Sequence, residues 1–156
     1  MNILFVTQYD LANPDSGGPV FKVRYLSNYL ANLGHNVKVV TVDDGKDKIN
    51  NLKDLRDCLH DRVQTIRLST LLRYRAVTLN PSILSVAQRQ VPLVDIIHIF
   101  GFYDLLSPFV ARSARTYDIP YVLEPRGMFT PIVRSLLTKK IYHGLLGRRL
   151  VAGAEF

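Results

Sequence analysis

Apolar residues along this chain form short, nearly continuous runs that alternate with amphipathic stretches. Five such runs lie at residues 2–7, 37–42, 63–68, 95–100 and 121–123. A strand that is covered on both faces needs apolar side chains at successive positions, so these runs predict strands of a parallel sheet. The stretches between them have the period of helices. This alternation predicts an α/β fold, a doubly wound, mainly parallel, Rossmann-like sheet.

The first helix has recognisable ends. It is predicted to begin near Gly18, with Pro19 tolerated in its first turn, and to end at Gly34 in a left-handed conformation. Its apolar residues recur at helical spacing. Four of them are predicted to form the buried face: Val23, Leu26, Leu30 and Leu33.

Later helices are predicted at residues 52–59, 81–90 and 105–117, and a last one begins at Thr130-Pro131. The helix over 105–117 is expected to bury Phe109, Val110, Ala114 and Tyr117. The last helix is expected to bury Ile132, Leu136, Ile141, Leu145 and Leu150, with Gly144 and Gly147 as weak points. Residues 154–156 have the pattern of the first step of another strand, and residues 69–80 have no clear period.

Composition is typical of a soluble globular protein with one domain. The chain has 156 residues, of which 47% are hydrophobic and 21% charged. Cys58 is the only cysteine, which excludes an internal disulfide and fits a reducing compartment. The chain enters a strand at once, and no apolar run approaches the ~20 residues that cross a bilayer, so neither a signal peptide nor a membrane span is expected.

The net charge of +7 is concentrated in two segments. Residues 63–94 contain four arginines and no acid, and residues 125–154 contain six cations and no acid. Such segments attract anions, which could be phosphate-bearing ligands, anionic lipid headgroups or nucleic acid. The alternative is a solvated basic surface, which is the safer interpretation for most of these residues.

The predicted binding site lies where three loops meet. Two adjacent glycines after the first strand leave bare backbone N–H groups at a helix start, where an anion is favoured; alternatively they only make the turn. Parallel strands place the loops after the first, fourth and fifth strands at one edge of the sheet. The candidate substrate-binding residues are Ser16, Gly17, Gly18, Gly101, Phe102, Arg126 and Gly127.

The sequence does not identify the catalytic residue. Two side chains are candidates for that role. Arg126 could bind phosphate or carboxylate oxygens in a bidentate way, or could pair with Glu124 or Asp104 to hold its loop. His98 lies between two isoleucines near the end of the fourth strand. A core role is the more usual one for such a histidine, and contact with a ligand is the alternative.

Several familiar chemistries have no motif in this sequence. The dinucleotide pattern G-x-G-x-x-G and the P-loop are absent, so Asp43 and Asp44 are interpreted as ordinary acids at a strand end. His35, His60 and His143 lack the spacing of metal ligands, and no metal site is predicted. Nothing resembles a Ser-His-Asp triad or a glycosidase carboxylate pair.

Five segments together resemble a known family. Residues 2–7, the Gly17-Gly18 loop with its helix, and residues 34–37 resemble the N-terminal domain of GT-B glycosyltransferases, and more narrowly the retaining glycosyltransferase group 1 family. Residues 95–101 resemble its D-hydrophobic-hydrophobic-H-x-H-G pattern, and residues 119–128 resemble P-Y-V-x-x-P-R-G-M. Two positions depart from the pattern, since Phe100 replaces the second histidine and Arg126 stands where many relatives have histidine.

The resemblance implies an architecture of two Rossmann-like domains that face a cleft. Residues 1–156 would be the N-terminal, acceptor-side domain, ending before its last strand or strands, and the domain that binds the nucleotide-sugar would be absent. The implied activity is a retaining transfer, of hexosyltransferase type, from a nucleotide-sugar to a glycan or lipid-linked acceptor in polysaccharide or glycolipid synthesis. No cofactor or metal would be needed, and this part alone would be inactive.

The resemblance also bears on partners and location. Many such enzymes dock on membranes, and the basic, apolar segment from Leu68 to Leu79 could contact an anionic membrane, although a solvated loop explains it equally. A cytoplasmic location, peripheral at the inner face of the membrane, is therefore expected. Self-association through an unpaired sheet edge is expected as well.

An alternative function is a stand-alone Rossmann-like module that holds a phosphorylated ligand without catalysis. Nucleic-acid binding would rest on charge alone and is not expected.

Overall fold

A five-stranded parallel sheet forms the centre of the computed structural model, which describes residues 1–13, 17–43, 59–74, 77–125 and 136–155. The sheet strands are β1 (Asn2–Thr7), β2 (Asn36–Val42), β3 (Val63–Leu68), β6 (Ile96–Phe100) and β7 (Tyr121–Glu124), and β4 (Leu72–Tyr74) and β5 (Val77–Leu79) form a separate antiparallel hairpin. The sheet order is β3-β2-β1-β6-β7. The helices are α1 (Gly18–Asn32), α2 (Ile83–Gln90), α3 (Leu106–Thr116), α4 (Leu136–Tyr142) and α5 (Arg148–Ala152).

Helices cover both faces of this sheet, so the predicted doubly wound, Rossmann-like α/β class is confirmed. Ile3 and Phe5 of β1 face α1 and pack in one apolar cluster, whereas Leu4 and Val6 point to the opposite face and pack with α2 and α3. Successive side chains of a strand point to opposite faces, so an unbroken apolar run is what two covered faces require. The five predicted sheet strands are all present, with ends that differ by one residue at most.

The first helix begins at Gly18 as predicted, and Gly34 follows it with a φ of +90°. Its predicted buried face is partly wrong. Leu33 is 58% exposed because it lies beyond the last helical residue. Val23 is buried as expected, and Leu26 and Leu30 are half-buried; the other fully buried positions are Val20, Ser27 and Ala31.

The helix over 105–117 is present as α3, but two of its predicted core residues are exposed. Phe109 is 37% exposed, and Tyr117 is also exposed and lies past the end of the helix. The stripe that faces the sheet contains Leu106, Val110 and Ala114, which recur every four residues, and Phe109 lies on the neighbouring face.

The last predicted helix does not keep one buried face. A π-helical turn (His143–Gly147) separates α4 from α5, and this wider turn changes the direction of the residues that follow. Ile141 and Leu145, predicted to be buried, are exposed, whereas Leu150 is buried. Gly147 is more than a weak point, because a Cβ there would lie 2.8 Å from Cζ of Phe102.

Some predicted elements lie outside the described residues: the helix at 52–59 (apart from its last residue), Asp44, and the helix start at Thr130-Pro131 with Ile132. The side chain of Leu136 is not described either. At the end of the chain, Glu155 makes an isolated parallel bridge with Val122, and its N–H donates to the carbonyl of Tyr121 over 2.9 Å. This bridge agrees with the strand step predicted there. No helix within the described ranges is long and apolar enough to span a bilayer.

Candidate functional site

The three loops predicted to form the site start at the same edge of the sheet. β1, β6 and β7 are neighbours, and their last residues are in register, since Thr7 pairs with Phe100 and Phe100 pairs with Glu124. The structure therefore brings the loop with Gly17 and Gly18 next to the loop with Gly101 and Phe102. The remaining candidates, Ser16, Arg126 and Gly127, lie outside the described residues; Arg126 and Gly127 come shortly after the end of β7.

The glycine loop leads directly into α1. Gly17 has a φ of 71° and a ψ of −154°, a conformation that is nearly restricted to glycine. A Cβ at Gly17 or Gly18 would meet no described atom within 4 Å, so no described residue fills the space beside this backbone. The first turn of the helix carries no acidic residue to offset the partial positive charge of its N–H groups. This backbone can therefore approach an anionic group closely.

Gly101 ends β6 in a second conformation that favours glycine, with a φ of +137°. A Cβ there would lie 3.1 Å from Oδ2 of Asp104. Asp104 is buried at the start of α3, where its carboxylate accepts hydrogen bonds from the Ser107 N–H over 2.6 Å and from the Ser107 hydroxyl over 2.7 Å. Burial raises the pKa of Asp104, and the hydrogen bonds from Ser107 partly oppose that rise.

Phe102 lies in the loop as predicted, but its side chain is fully buried. Its ring packs edge-on against Tyr103 and Tyr142, at centroid distances of 4.9 and 5.8 Å. The ring therefore anchors the loop to the helices behind it, and Phe102 has no exposed surface in this structure.

His98 lies on the face of the sheet that α1 covers. Its ring stacks on Phe100 at a centroid distance of 4.0 Å and meets Phe5 edge-on at 5.5 Å. Its Nε2 lies 3.4 Å from Oε2 of Glu124. The histidine is thus held between aromatic rings with one nitrogen towards the edge of the sheet, which fits the core role and keeps it within reach of the site.

Glu124 connects the loops at this edge. Its two carboxylate oxygens accept hydrogen bonds from Nζ of Lys22 on α1, each over 2.8 Å, and its backbone carbonyl accepts one from the Gly101 N–H over 3.0 Å. Glu124 also directly precedes the loop that contains Arg126. The two acids proposed as alternative partners of Arg126 thus have described partners of their own: Ser107 for Asp104 and Lys22 for Glu124.

Sequence reasoning missed a buried ion pair beside these loops. The Asp10 side chain is fully buried, and its Oδ2 lies 2.7 Å from Nη2 of Arg67, which also lies 3.5 Å from Oδ1 of Asp43. Asp10 follows β1, Arg67 lies near the end of β3, and Asp43 follows β2. Arg67 and the two acids therefore tie three strand ends together. Asp43 is therefore a structural acid at a strand end, as predicted. The sequence signal for this pair is that residues 63–94, which include Arg67, contain no acid. An acidic partner for Arg67 therefore has to come from another part of the chain.

Gln8 is a second residue that sequence reasoning missed. It follows β1 and is buried, and its Nε2 lies 3.9 Å from the position that a Cβ on Gly101 would occupy. Its Oε1 has no hydrogen-bond partner among the described residues. No group of three or more potential metal ligands occurs in the described ranges.

Comparison with known proteins places this geometry in context. The family model described as "Glycosyl transferase 4-like domain" matches residues 17–156. The crystal structure of Acinetobacter baumannii MurG superposes with a TM-score of 0.54 and 18% sequence identity, covering 88% of this chain and 38% of the MurG chain. This chain therefore spans less than half the length of MurG, and the likeness concerns the fold. A search of curated proteins gave no significant match.

Proposed function

Because this chain belongs to the glycosyl transferase 4-like domain family, as its motifs predicted, we propose that it is the acceptor-binding half of a retaining glycosyltransferase. The donor is a nucleotide-sugar, and the acceptor is a glycan or a lipid-linked glycan. The observation that carries the proposal is that β1, β6 and β7 end side by side at one edge of the sheet, where Lys22 joins α1 to Glu124 at the end of β7.

Each loop has a distinct task in this proposal. The open backbone at Gly17 and Gly18 approaches the donor phosphates or the transferring sugar, and its N–H groups stabilise negative charge. Arg126, which follows β7 in sequence, contributes a positive charge for the donor phosphates in this proposal. The acceptor hydroxyl attacks from the face that the leaving phosphate occupies, and a phosphate oxygen accepts its proton. The protein then acts through positioning and charge, without a cofactor or metal of its own.

The direct test is sugar transfer by the protein in which this domain is joined to its donor-binding domain. A panel of nucleotide-sugars is offered with glycan and glycolipid acceptors, and NMR of the product reports the anomeric configuration. Retention is expected, and inversion would contradict the mechanism. Residues 1–156 alone should give no turnover, and measurable turnover by them would contradict the assignment as half of an enzyme.

A matched pair of glycine variants tests the role of the loop. Gly18→Ala and Gly144→Ala each add a Cβ that meets no described atom within 4 Å, so neither should disturb the fold. Only Gly18 lies at the candidate site. We expect Gly18→Ala to lower kcat/KM by about tenfold or more, as loss of a close backbone contact in the transition state would, and Gly144→Ala to leave it unchanged.

We also propose a peripheral contact with an anionic membrane through the β4–β5 hairpin. Its support is the exposure of Leu71 and Leu72 beside Arg73 in a segment without acids. Co-sedimentation with phosphatidylglycerol vesicles should be strong and salt-sensitive, and phosphatidylcholine vesicles should bind weakly. Leu72→Asp should abolish co-sedimentation with phosphatidylglycerol vesicles. Leu93→Asp, which changes another exposed leucine, should leave it intact. Equal loss in both variants would contradict the hairpin as the contact.

A further inference from the structure

A cavity of about 250 Å³ opens beside the candidate site, on the sheet face that α2 and α3 cover. β5, the residues that directly follow it, and the first turns of α2 and α3 line it, and one side is open. Ile83 and Leu106 are buried at its base, and Leu79, Leu84 and Phe109 form its exposed margin. It is smaller than the roughly 300–1,000 Å³ of pockets that enclose whole small molecules. It therefore suits one segment of a ligand.

The lining is almost entirely carbon. Its two polar side chains, Thr78 and Asn80, are both buried. The Asn80 amide nitrogen donates to the carbonyl of Ser69, in the segment between β3 and β4, over 3.0 Å. Thr78 Oγ1 and Asn80 Oδ1 have no hydrogen-bond partner among the described residues, but both atoms are buried beneath the apolar surface. A sugar or a phosphate placed here would therefore lose its water and gain few hydrogen bonds, which is unfavourable. A hydrocarbon segment is the ligand that such a cavity stabilises.

The cavity shares the loop after β6 with the candidate site. Leu105 and Leu106, which line it, directly follow Asp104 in the loop after Gly101. A molecule whose apolar part occupied the cavity would therefore carry its polar part at the β6 loop.

The surroundings of the cavity are apolar and cationic. Leu72 is exposed and lies directly opposite Leu79 in the hairpin, which extends the apolar margin. Arg73 pairs in register with Thr78, and Arg112 follows Phe109 by one turn of α3; both arginines are exposed. Residues 63–94 contain no acid that would repel an anion. The charge pattern complements a ligand with an anionic group next to its hydrocarbon part.

We propose that this cavity binds the hydrocarbon chain of an anionic amphiphile, and that this molecule is the acceptor whose polar end is glycosylated at the neighbouring edge. The inference rests on the proposed function for the identity of the acceptor, while the binding of the chain rests on the cavity itself. One molecule binds per domain.

A chain-length series tests the binding. Hexyl, octyl and decyl phosphate are titrated into the protein by calorimetry, below the concentration at which they form micelles. Each added methylene that enters the cavity should tighten binding by about fourfold, the ratio expected from burying one methylene group. The gain should stop once the cavity is full. Binding that does not saturate, or that is independent of chain length, would overturn the proposal.

Two tryptophan variants show where the chain binds. Leu84→Trp places a bulky ring at the margin of the cavity, and Leu93→Trp makes the same change at a leucine that is 57% exposed and does not line it. Leu84→Trp should weaken decyl phosphate binding by about tenfold or more, as expected if two methylenes are displaced, and Leu93→Trp should not change it. If both variants weaken binding equally, the probe binds exposed apolar surface and the site is refuted.

The polar end of the ligand is tested separately. Arg73→Gln should weaken all three alkyl phosphates by the same factor and leave the gain per methylene unchanged, because the head group is the same in each. A change in the gain per methylene would instead mean that the variant alters the cavity, which contradicts the placement of the head group.

Failure of this inference is distinguishable from failure of the proposed function. If the alkyl phosphates bind as described but the whole enzyme transfers sugar from no nucleotide-sugar, the proposed function is wrong and the cavity site stands. If the enzyme transfers sugar but alkyl phosphates neither bind nor inhibit, the cavity inference is wrong and the proposed function stands.

Discussion

Nζ of Lys22 lies 2.8 Å from each carboxylate oxygen of Glu124, although 102 residues separate them in sequence. Lys22 is in the first turns of α1, directly after the glycine loop, and Glu124 is the last residue of β7. This pair, together with the hydrogen bond from Gly101 to the Glu124 carbonyl, spans the edge of the sheet on which the proposed site lies.

Removing this pair should loosen the glycine loop more than it destabilises the fold. Lys22 is 53% exposed, so the pair contributes about 1 kcal/mol or less to the free energy of unfolding. We expect Glu124→Gln and Lys22→Met to accelerate exchange of the Gly17, Gly18 and Val20 amides by up to about fivefold, with little change in the sheet.

Two controls accompany that measurement. Lys38→Met removes a lysine whose partner is the neutral Gln90 and should leave exchange of those three amides unchanged. The double variant Lys22→Glu/Glu124→Lys should restore protection, because it reverses the pair. Unaltered exchange in both single variants would show that the pair does not position the loop.

The buried carboxyl of Asp104 should make stability depend on pH. Its pKa is raised above 3.8 in the folded protein, because burial disfavours the charged form. A raised pKa contributes stability that is fully present below the unfolded value and is lost as pH rises through the folded value. Asp104→Asn keeps an acceptor for the Ser107 N–H but does not ionise.

The free energy of unfolding of Asp104→Asn should therefore rise relative to the parent protein as pH increases above about 4. Urea denaturation at several pH values measures the difference. A pH-independent difference would contradict the raised pKa. Asp104→Ala is the control, because it removes the acceptor for the Ser107 N–H at the start of α3. It should lower the free energy of unfolding by about 1–2 kcal/mol both below and above that pH.

Gly101→Ala should be strongly destabilising for two separate reasons. A φ of +137° strains any residue with a Cβ, and that Cβ would lie 3.1 Å from the buried Asp104 carboxylate. We expect a loss of about 1–3 kcal/mol in the free energy of unfolding. Gly144→Ala, in open space and without a positive φ, should lose nothing. Equal stability of the two variants by chemical denaturation would refute the strain at Gly101.

Tyr121→Phe should weaken the docking of the last helices on the sheet. The buried Tyr121 hydroxyl donates to the carbonyl of Leu150 over 2.7 Å. Its removal leaves a buried carbonyl without that donor, at a cost of about 1–3 kcal/mol. Tyr25→Phe removes an exposed hydroxyl and is the matched control. Thermal unfolding compares them, and similar melting temperatures would contradict the expected role of the Tyr121 hydroxyl.

Several features could be predicted from local sequence. The β1 run and the ends of α1 at Gly18 and Gly34 depend on neighbouring residues alone, because continuous burial and a left-handed cap each leave a local pattern. The common edge of the three loops followed as well, since parallel strands with helical connections admit few arrangements. Phe109 and Tyr117 were wrongly placed in the core, because apolar character does not reveal which side of a helix faces the sheet.

What the sequence by itself determined was the succession of strands and helices along the chain and the common edge at which the loops after β1, β6 and β7 begin, because both follow from periodicity and chain direction. Only the tertiary structure decided which distant side chains meet there: Lys22 with Glu124, Asp10 with Arg67, and the carbon-lined cavity between hairpin and helices. Such contacts join residues tens of positions apart. Their energies depend on distances of a few ångströms, and no local pattern along the chain encodes those distances.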